Sequence, residues 1–398
     1  MYAAFVVESS QGQSCWLGTR LAFRSAGICP VKFCVEVHDG ITGIRALERE
    51  WLGLLTGRSW HPFERPEFYA AMALSDFARG GDLKFFAVRS GSNLRAVCPV
   101  IRWEPWASSR PAWVHRPSRF AHWSLPDNDQ LPISGPCIAV GVNTEAILGV
   151  VLRQLAKDRR CNKVIFPGLV PVAGQKIWQF FPRWATRVHD VGCYEIFFGK
   201  SVSNAYSQMP KSLKKSLGRA EAAFVALDDA TFEVGNPKEW ESDFCDFLAV
   251  EGSGWKGLAG TAIVKSPELE NFYRQLACEF GRAGLLRINR LVVAGKVAAA
   301  HFAVVGSGRL FILKSGYDES YYKFSPGNLL RFKALLVGLG SGEYEALNVV
   351  GTPSWCLSWK PRLVSLCAAE VFLPNAAGLF SKAYSGASSI LRRIKRQE

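Results

Sequence analysis

The stretch LLRINRLVVAGKVAAAHFAVVGSGRLFILK, residues 285–314, decides the fold class. Leu285 to Val293 and Val297 to Val305 are apolar, β-branched runs on either side of Ala294-Gly295, and Arg309 to Lys314 follows the turn Gly306-Ser307-Gly308. Such runs joined by short glycine turns predict antiparallel hairpins, so the stretch reads as a three-stranded meander. Upstream, Lys238 to Val250 and Pro267 to Ala283 carry apolar residues at three- and four-residue steps and predict two helices. Downstream, a polar and aromatic loop from Ser315 to Phe324 leads into a helix from Pro326 to Leu339. Strands Glu345 to Val349 and Leu366 to Leu373 follow, and the tail beyond is basic and rich in Gly, Ser and Ala.

The first half repeats this order less sharply. Strand Val31 to Val37 precedes helices Ile41 to Leu55 and Pro66 to Leu74, and Phe85 to Val88 pairs with Leu94 to Ile101 across Ser90-Gly91-Ser92-Asn93. After an irregular stretch rich in Trp, Pro and Arg come strand Cys137 to Val140, helix Thr144 to Lys157 and strand Lys163 to Phe166. The whole predicts a mixed α/β protein, and 398 residues exceed what one core usually supports, so two domains are expected.

Composition excludes several classes. A hydrophobic fraction of 48% with 13 Trp and 26 Phe is too apolar for a disordered chain. No uninterrupted apolar run approaches the roughly 18 residues of a membrane-spanning helix, which makes a soluble or peripheral protein the expectation. Residues 1–30 lack the ordered regions of a secretory signal and read as a poorly ordered leader. Eleven cysteines without a Cys-x-x-Cys pair fit neither a disulfide framework nor a zinc site, so a reducing cytoplasm and no metal are expected. The net charge of +14 implies attraction to a polyanion: nucleic acid, anionic membrane or phosphate-rich cofactor. Lys200, Lys211, Lys214, Lys215 and Arg219 share a window without acidic residues, and Arg392, Arg393, Lys395 and Arg396 crowd the tail. Solvated faces and a frayed terminus explain these runs as well as a binding role does.

Three stretches carry candidate chemistry. In Ser325-Pro326-Gly327-Asn328, Ser325 suits a helix cap, Pro326 the first helical position, and Gly327 the close approach of an anion to free amides. A pyrophosphate fits such a helix start, whose candidate contacts are Ser325, Gly327, Asn328, Leu329 and Arg331. Glu251-Gly252-Ser253-Gly254-Trp255-Lys256-Gly257 reads as a loop closing over a substrate, with Glu251 as proton acceptor and Trp255 and Lys256 as substrate contacts, or as a glycine cap with a packed Trp. In Ser315 to Lys323, Asp318 is placed to orient an acceptor and Tyr317 to protonate a leaving thiolate, while a tyrosine-rich loop packed on the sheet is the alternative. His301, in the middle of an apolar strand, is a core histidine, or a base if it faces the cleft. The chain has no Gly-x-Ser-x-Gly elbow, no Walker loop and no His-Glu-x-x-His, and Gly338 to Gly342 closes a helix.

Lys211-Ser212-Leu213-Lys214-Lys215-Ser216-Leu217-Gly218-Arg219, then the Glu251 to Gly257 run, then Gly316-Tyr317-Asp318 and Ser325-Pro326-Gly327-Asn328-Leu329-Leu330 follow a familiar order. In these motifs the chain resembles the CelD/BcsL-like acetyltransferase family, a branch of the GNAT superfamily associated with bacterial cellulose and exopolysaccharide biosynthesis. More distantly it is similar to the Fem-type transferases, which carry two GNAT-like domains and take an aminoacyl group from transfer RNA. Trp359-Lys360 stands where the family commonly has Tyr-Lys, and Gly252 where Ala is frequent. Lys360 is therefore a further candidate substrate contact.

The resemblance implies tandem GNAT-like domains: a degenerate one over 31–198, a cofactor-competent one over 199–375, and a basic tail over 376–398. It implies transfer of an acetyl or longer acyl group from acyl-CoA, without a metal, to a small-molecule or saccharide acceptor bearing an amine or hydroxyl. Two rivals remain: an aminoacyl-tRNA donor gripped by the Lys211 to Arg219 segment, and a non-catalytic scaffold peripheral to the inner membrane through its basic tail.

Overall fold

The computed structural model describes residues 7–8, 14–16, 32–75, 81–104, 121–124, 135–169 and 186–383. In chain order the first half comprises β1 (Val7–Glu8), β2 (Ser14–Trp16), β3 (Phe33–Asp39), α1 (Gly40–Gly53), α2 (Pro66–Leu74), β4 (Gly81–Ser90), β5 (Asn93–Trp103), β6 (Ala121–Ser124), β7 (Cys137–Ile138), α3 (Thr144–Leu155) and β8 (Cys161–Leu169). The second half comprises β9 (Thr186–Phe197), α4 (Val202–Gln208), α5 (Lys211–Val225), β10 (Ala230–Glu233), α6 (Trp240–Ser253), α7 (Trp255–Leu258), α8 (Pro267–Arg282), β11 (Leu286–Val293), β12 (Lys296–Gly306), β13 (Arg309–Tyr317), α9 (Pro326–Ser341), β14 (Ala346–Asn348) and β15 (Arg362–Phe372). Within the segment read as a leader, β1 pairs with β2, and β2 continues onto β3. The basic cluster Arg392 to Arg396 lies outside the described residues. Among the described residues no helix is long and apolar enough to cross a membrane.

Local signals account for the elements around the site. Ala294 and Gly295 (φ 47° and 70°), and Ser307 and Gly308 (φ 48° and 73°), place both central residues of each turn in the left-handed region. Such turns match the twist of antiparallel hairpins, and β11, β12 and β13 pair accordingly. α8 opens on Ser266, whose side chain accepts the Leu269 amide at 3.2 Å, with Pro267 first and Glu268 and Glu270 in its first turn. Its stripe Leu269, Phe272, Tyr273, Leu276 and Phe280 is buried.

One sheet runs through both halves in the order β1-β2-β3-β4-β5-β6-β8-β15-β9-β14-β13-β12-β11-β10, with β7 on β5. β15 pairs antiparallel with β8 on one side and with β9 on the other. The halves also share an aromatic core in which Trp51, Phe68, Tyr69 and Phe85 join Phe244, Phe272 and Phe302. Phe68 meets Phe272 edge-on at 6.1 Å, and Glu279 takes Arg45 at 2.6 Å and Arg282 at 2.7 Å. This is a mixed α/β fold with its helices on both faces of a continuous sheet.

On the α9 face the core holds a polar row. His301 lies across from Asn289 on β11 and Ser315 on β13, fully buried, and neither ring nitrogen has a hydrogen-bond partner among the described residues. Burial, and secondarily the charge of Arg331 on α9, pull its pKa down to about 3. The reading of His301 as a base facing the cleft is thereby corrected: it is a neutral core residue.

Two outcomes are expected. Phe272→Ala empties a site between the halves and costs about 3–5 kcal/mol in urea unfolding, with both halves melting in one transition. For His301 the unfolded chain holds a proton between pH 6.5 and about 3 that the folded chain refuses. Its contribution is therefore complete above pH 6.5 and lost as pH falls, at about 1.4 kcal/mol per unit. His301→Gln flattens this acid limb by about 2 kcal/mol between pH 6.5 and 5; an unchanged limb in urea midpoints would remove His301 as its cause.

Candidate active site

The site begins where two strands part. β13 and β14 run parallel only from Arg309 to Phe311, opposite Ala346 to Asn348, and β13 then continues through Tyr317 with no strand on that side among the described residues. The chain after β14 turns instead to β9: the Val349 amide donates to the Tyr194 carbonyl at 3.1 Å and the Tyr194 amide to that of Gly351 at 2.8 Å. Asn348 drives the departure, its Oδ1 accepting the Val350 amide at 2.9 Å while Val350 takes a left-handed φ of 54°. At the base of the fork, buried Glu195 on β9 binds Arg309 and Arg362, tying β9 to β13 and β15. Past Phe311 the β13 backbone therefore lacks, among the described residues, a strand neighbour on one side.

On one face of the fork the end of α6 rests on β13. A Cβ at Gly316 would lie 2.4 Å from the Glu251 Cα, so only glycine lets the helix approach so closely. Glu251 is buried: its Oε2 accepts the Ile263 amide at 2.9 Å, while its Oε1, 3.4 Å from Lys256 Nζ, has no hydrogen-bond partner. Lys256 donates to the Ser315 carbonyl at 2.7 Å, and its own carbonyl accepts the amides of Thr261 and Ala262. The loop after α7 is thereby clamped around the carboxylate. Tyr273 on α8 is fully buried with an unpartnered hydroxyl, its pKa held well above the usual range by burial and then by the charge of Glu251. Lys314 on β13 is half-buried, and burial first, then Lys256, draws its pKa down to about 8 against the opposing pull of Glu251.

On the other face lies the start of α9, and here the capping expectation needs correction. Ser325 adopts φ 50°, ψ 58°, and its side chain makes no cap; its carbonyl instead accepts the amides of Asn328 at 2.9 Å and Leu329 at 3.1 Å. The tight turn out of the 3₁₀ segment Glu319–Phe324 imposes this conformation. Since Pro326 has no N–H, the Gly327 amide is left, among the described residues, as the unpartnered donor of the first turn. Buried Arg331 donates to the Gly327 carbonyl at 2.7 Å and to Ser315 Oγ at 3.3 Å, and its guanidinium lies 3.7 Å from the Trp355 ring centroid. A Cβ at 327 would come within 3.2 Å of Arg331 Nη1 and 3.7 Å of Tyr317 Cδ1.

Glu251, Lys256, Tyr317, Gly327 and Arg331 thus gather around residues 314–317 of β13. Other candidates serve the scaffold: Asp318 caps the 3₁₀ segment by accepting the Ser320 amide at 2.9 Å, and Asn328 Oδ1 accepts from Trp359 Nε1 at 3.2 Å. Leu329 is buried in the core, which corrects its reading as a cofactor contact. Lys360 is exposed at the end of the 3₁₀ segment Ser354–Trp359, in a left-handed conformation. Trp255 opens α7, and its side chain lies outside the described residues. Sequence reasoning missed Lys314, Tyr273 and Trp355. Of these, Lys314 alone gave a signal, as a charge at the end of an apolar strand. Among the described residues no cluster of metal-ligating side chains occurs.

Residues 211–337 match the family model described as the acetyltransferase (GNAT) domain. A search among curated proteins returns no match. Among solved structures, the chain is similar to FemX, with TM-score 0.55 and 8% identity over 80% of this chain and 95% of that one. It is similar also to a conserved protein of unknown function from Bacteroides thetaiotaomicron VPI-5482, with TM-score 0.53 and 12% identity over 85% and 99% of the two chains. A third likeness is to the C-terminal domain of a putative lysylphosphatidylglycerol synthetase from Agrobacterium fabrum, with TM-score 0.51 and 11% identity over 85% and 94%. At such identities these likenesses concern the fold alone. The chain is a mixed α/β protein with a GNAT domain, and Glu251, Lys256, Lys314 and Gly327 all lie inside the matched residues.

Proposed function

We propose that the chain is an acyltransferase that moves an acetyl or longer acyl group from acyl-CoA to an amine or hydroxyl acceptor at the β13–β14 fork. The observation that carries this reading is the buried carboxylate of Glu251, held by the Ile263 amide with Oε1 left without a hydrogen-bond partner. The GNAT match over residues 211–337 supports the same chemistry. The Gly327 amide, without a partner among the described residues, and the end of the helix dipole at the start of α9 suit a phosphate.

In the proposed reaction the acceptor nitrogen or oxygen attacks the thioester carbonyl, a C–N or C–O bond forms and the C–S bond breaks. Glu251 receives the acceptor proton, and Tyr317 stands beside the departing sulfur to protonate it. Backbone amides of β13 beyond Phe311, freed by the parting of the strands, stabilise the oxyanion. Positioning on a rigid sheet supplies much of the remaining acceleration. The resemblance described above puts envelope or exopolysaccharide saccharides first in an acceptor screen.

A second reading has its own observation. On α5, Lys211, Lys214, Lys215 and Arg219 form one exposed stripe at helical spacing, without an ion pair among the described residues. An aminoacyl-tRNA donor would lay its phosphate backbone there, and tRNA affinity would fall steeply with salt.

Calorimetric titration with acetyl-CoA and longer acyl-CoAs tests the first reading. Saturable binding is expected in the wild type and a loss of about 100-fold or more in Gly327→Glu, which sets a carboxylate where the phosphate belongs. A folded wild type that binds no thioester would discard the acyl-CoA reading in favour of tRNA. Glu251→Gln is expected to lower kcat about 10²–10³-fold with little change in KM. Gly316→Ala, forcing α6 off β13, should cost about 1–3 kcal/mol of stability and most of the activity; full activity would separate the α6 contact from function.

A further inference from the structure

Where α6 and α7 lie against β13, two ammoniums, Lys256 and Lys314, share one carboxylate, Glu251. The Glu319 carboxylate stands at the junction of α6 and α7, 3.6 Å from where a Cβ at Gly254 would lie. Lys256 has partners in Glu251 and the Ser315 carbonyl. Lys314, half-buried on β13, has neither a hydrogen bond nor an ion pair among the described residues. Arg331 reaches the same strand from the other face through Ser315 Oγ, so no counter-charge arrives from that side. A half-buried ammonium without an anion is costly, and a fold tolerates it where something repays the cost. Beside it, two buried polar atoms make no hydrogen bond among the described residues, Glu251 Oε1, which has only its ion pair with Lys256, and the Tyr273 hydroxyl, which marks the place as one where outside polar groups belong.

We propose that the acceptor carries an anionic group, a carboxylate or a phosphate, which Lys314 binds together with Lys256, while its nucleophilic N–H or O–H donates to Glu251 Oε1. The proposal rests on the acyl-transfer reading and narrows it: neutral sugars and simple amines are poor acceptors, and amino or hydroxy acids and phosphorylated acceptors are good ones. Lys314 selects the acceptor and does not take part in bond making. The groups that bear on its charge are Lys256, which opposes it, and Glu251, which favours it; together with burial they leave its pKa at about 8. An anion at Lys314 raises that value, so binding takes up a proton near pH 8 and weakens as pH rises beyond it.

Carbon-13 methylation of the lysines in the full chain gives each an NMR signal, and the one lost in Lys314→Gln reports this site. Inorganic phosphate and succinate are titrated separately. The expected result is a saturable shift of that signal with one of the two, which identifies the charged group, and a rise of its titration midpoint by about one unit. Anion binding by unmethylated protein, followed by calorimetry, is expected to weaken about tenfold in Lys314→Gln and to stay within about threefold of wild type in Lys314→Arg. A Lys314 signal that moves with pH yet ignores both anions overturns the proposal, as does wild-type affinity in folded Lys314→Gln. Because no thioester enters this measurement, acyl-CoA binding alongside indifference to both anions sinks the anionic acceptor alone and leaves acyl transfer standing.

Discussion

The parting of β13 from β14 is the constraint from which the site follows. A parallel pair only three residues long holds the strands together at Arg309 to Phe311 and releases them above. The buried Glu251 carboxylate, Lys256, Lys314, Gly327 and Arg331 sit on the released segment or on the helices that flank it. Asn348 sends one strand toward β9, Glu195 clamps the base through two arginines, and Gly316 lets α6 settle directly on the freed strand. The carboxylate of Glu251 is delivered by backbone packing and not by a flexible loop, which suits a group that must keep a fixed geometry.

Much of this was legible in the sequence because it is local. The β11–β13 meander announces itself through two glycine turns whose left-handed residues the structure contains, and α8 through its serine, proline and apolar stripe. Glu251, Lys256, Tyr317 and Gly327 were recognisable as unusual residues in unusual company. What stayed hidden depends on distance in the chain. Lys314 is one lysine at the end of an apolar strand until α6 and α7 bring a carboxylate and a second ammonium to it. Arg331 and Trp355 stack only because the chain after β14 passes over the start of α9. α5 was read for its charge, although Leu213, Leu217, Ala220 and Phe224 trace a buried face. β9 alternates too weakly to declare itself, since residues 188–191 remain exposed. The serine before Pro326 looked like a cap because serine there commonly is one; the preceding 3₁₀ turn dictated its φ.

Charge is arranged with a similar economy. The stripe on α5 is open to solvent and long-range, suited to attraction of a polyanion at a distance. The cations at β13 are few and partly desolvated, so each matters more. Burial acts in opposite ways on the two faces of one strand system: it keeps His301 neutral within the core and leaves Lys314 poised near neutrality at the rim.

The position of β15 bears on how the chain is made. This strand, encoded by residues 362–372, fills the gap between β8 and β9, which are finished some 170 to 200 residues earlier. During synthesis both of those edges wait, unpaired with β15 and partly apolar, until that strand leaves the ribosome. Contacts of such sequence separation form slowly, and open edges invite pairing with other chains. The second half, with its own meander and helices, can condense in the interval, but the sheet closes only once residues 362–372 have been made. The topology of the sheet thus favours slow closure of the fold.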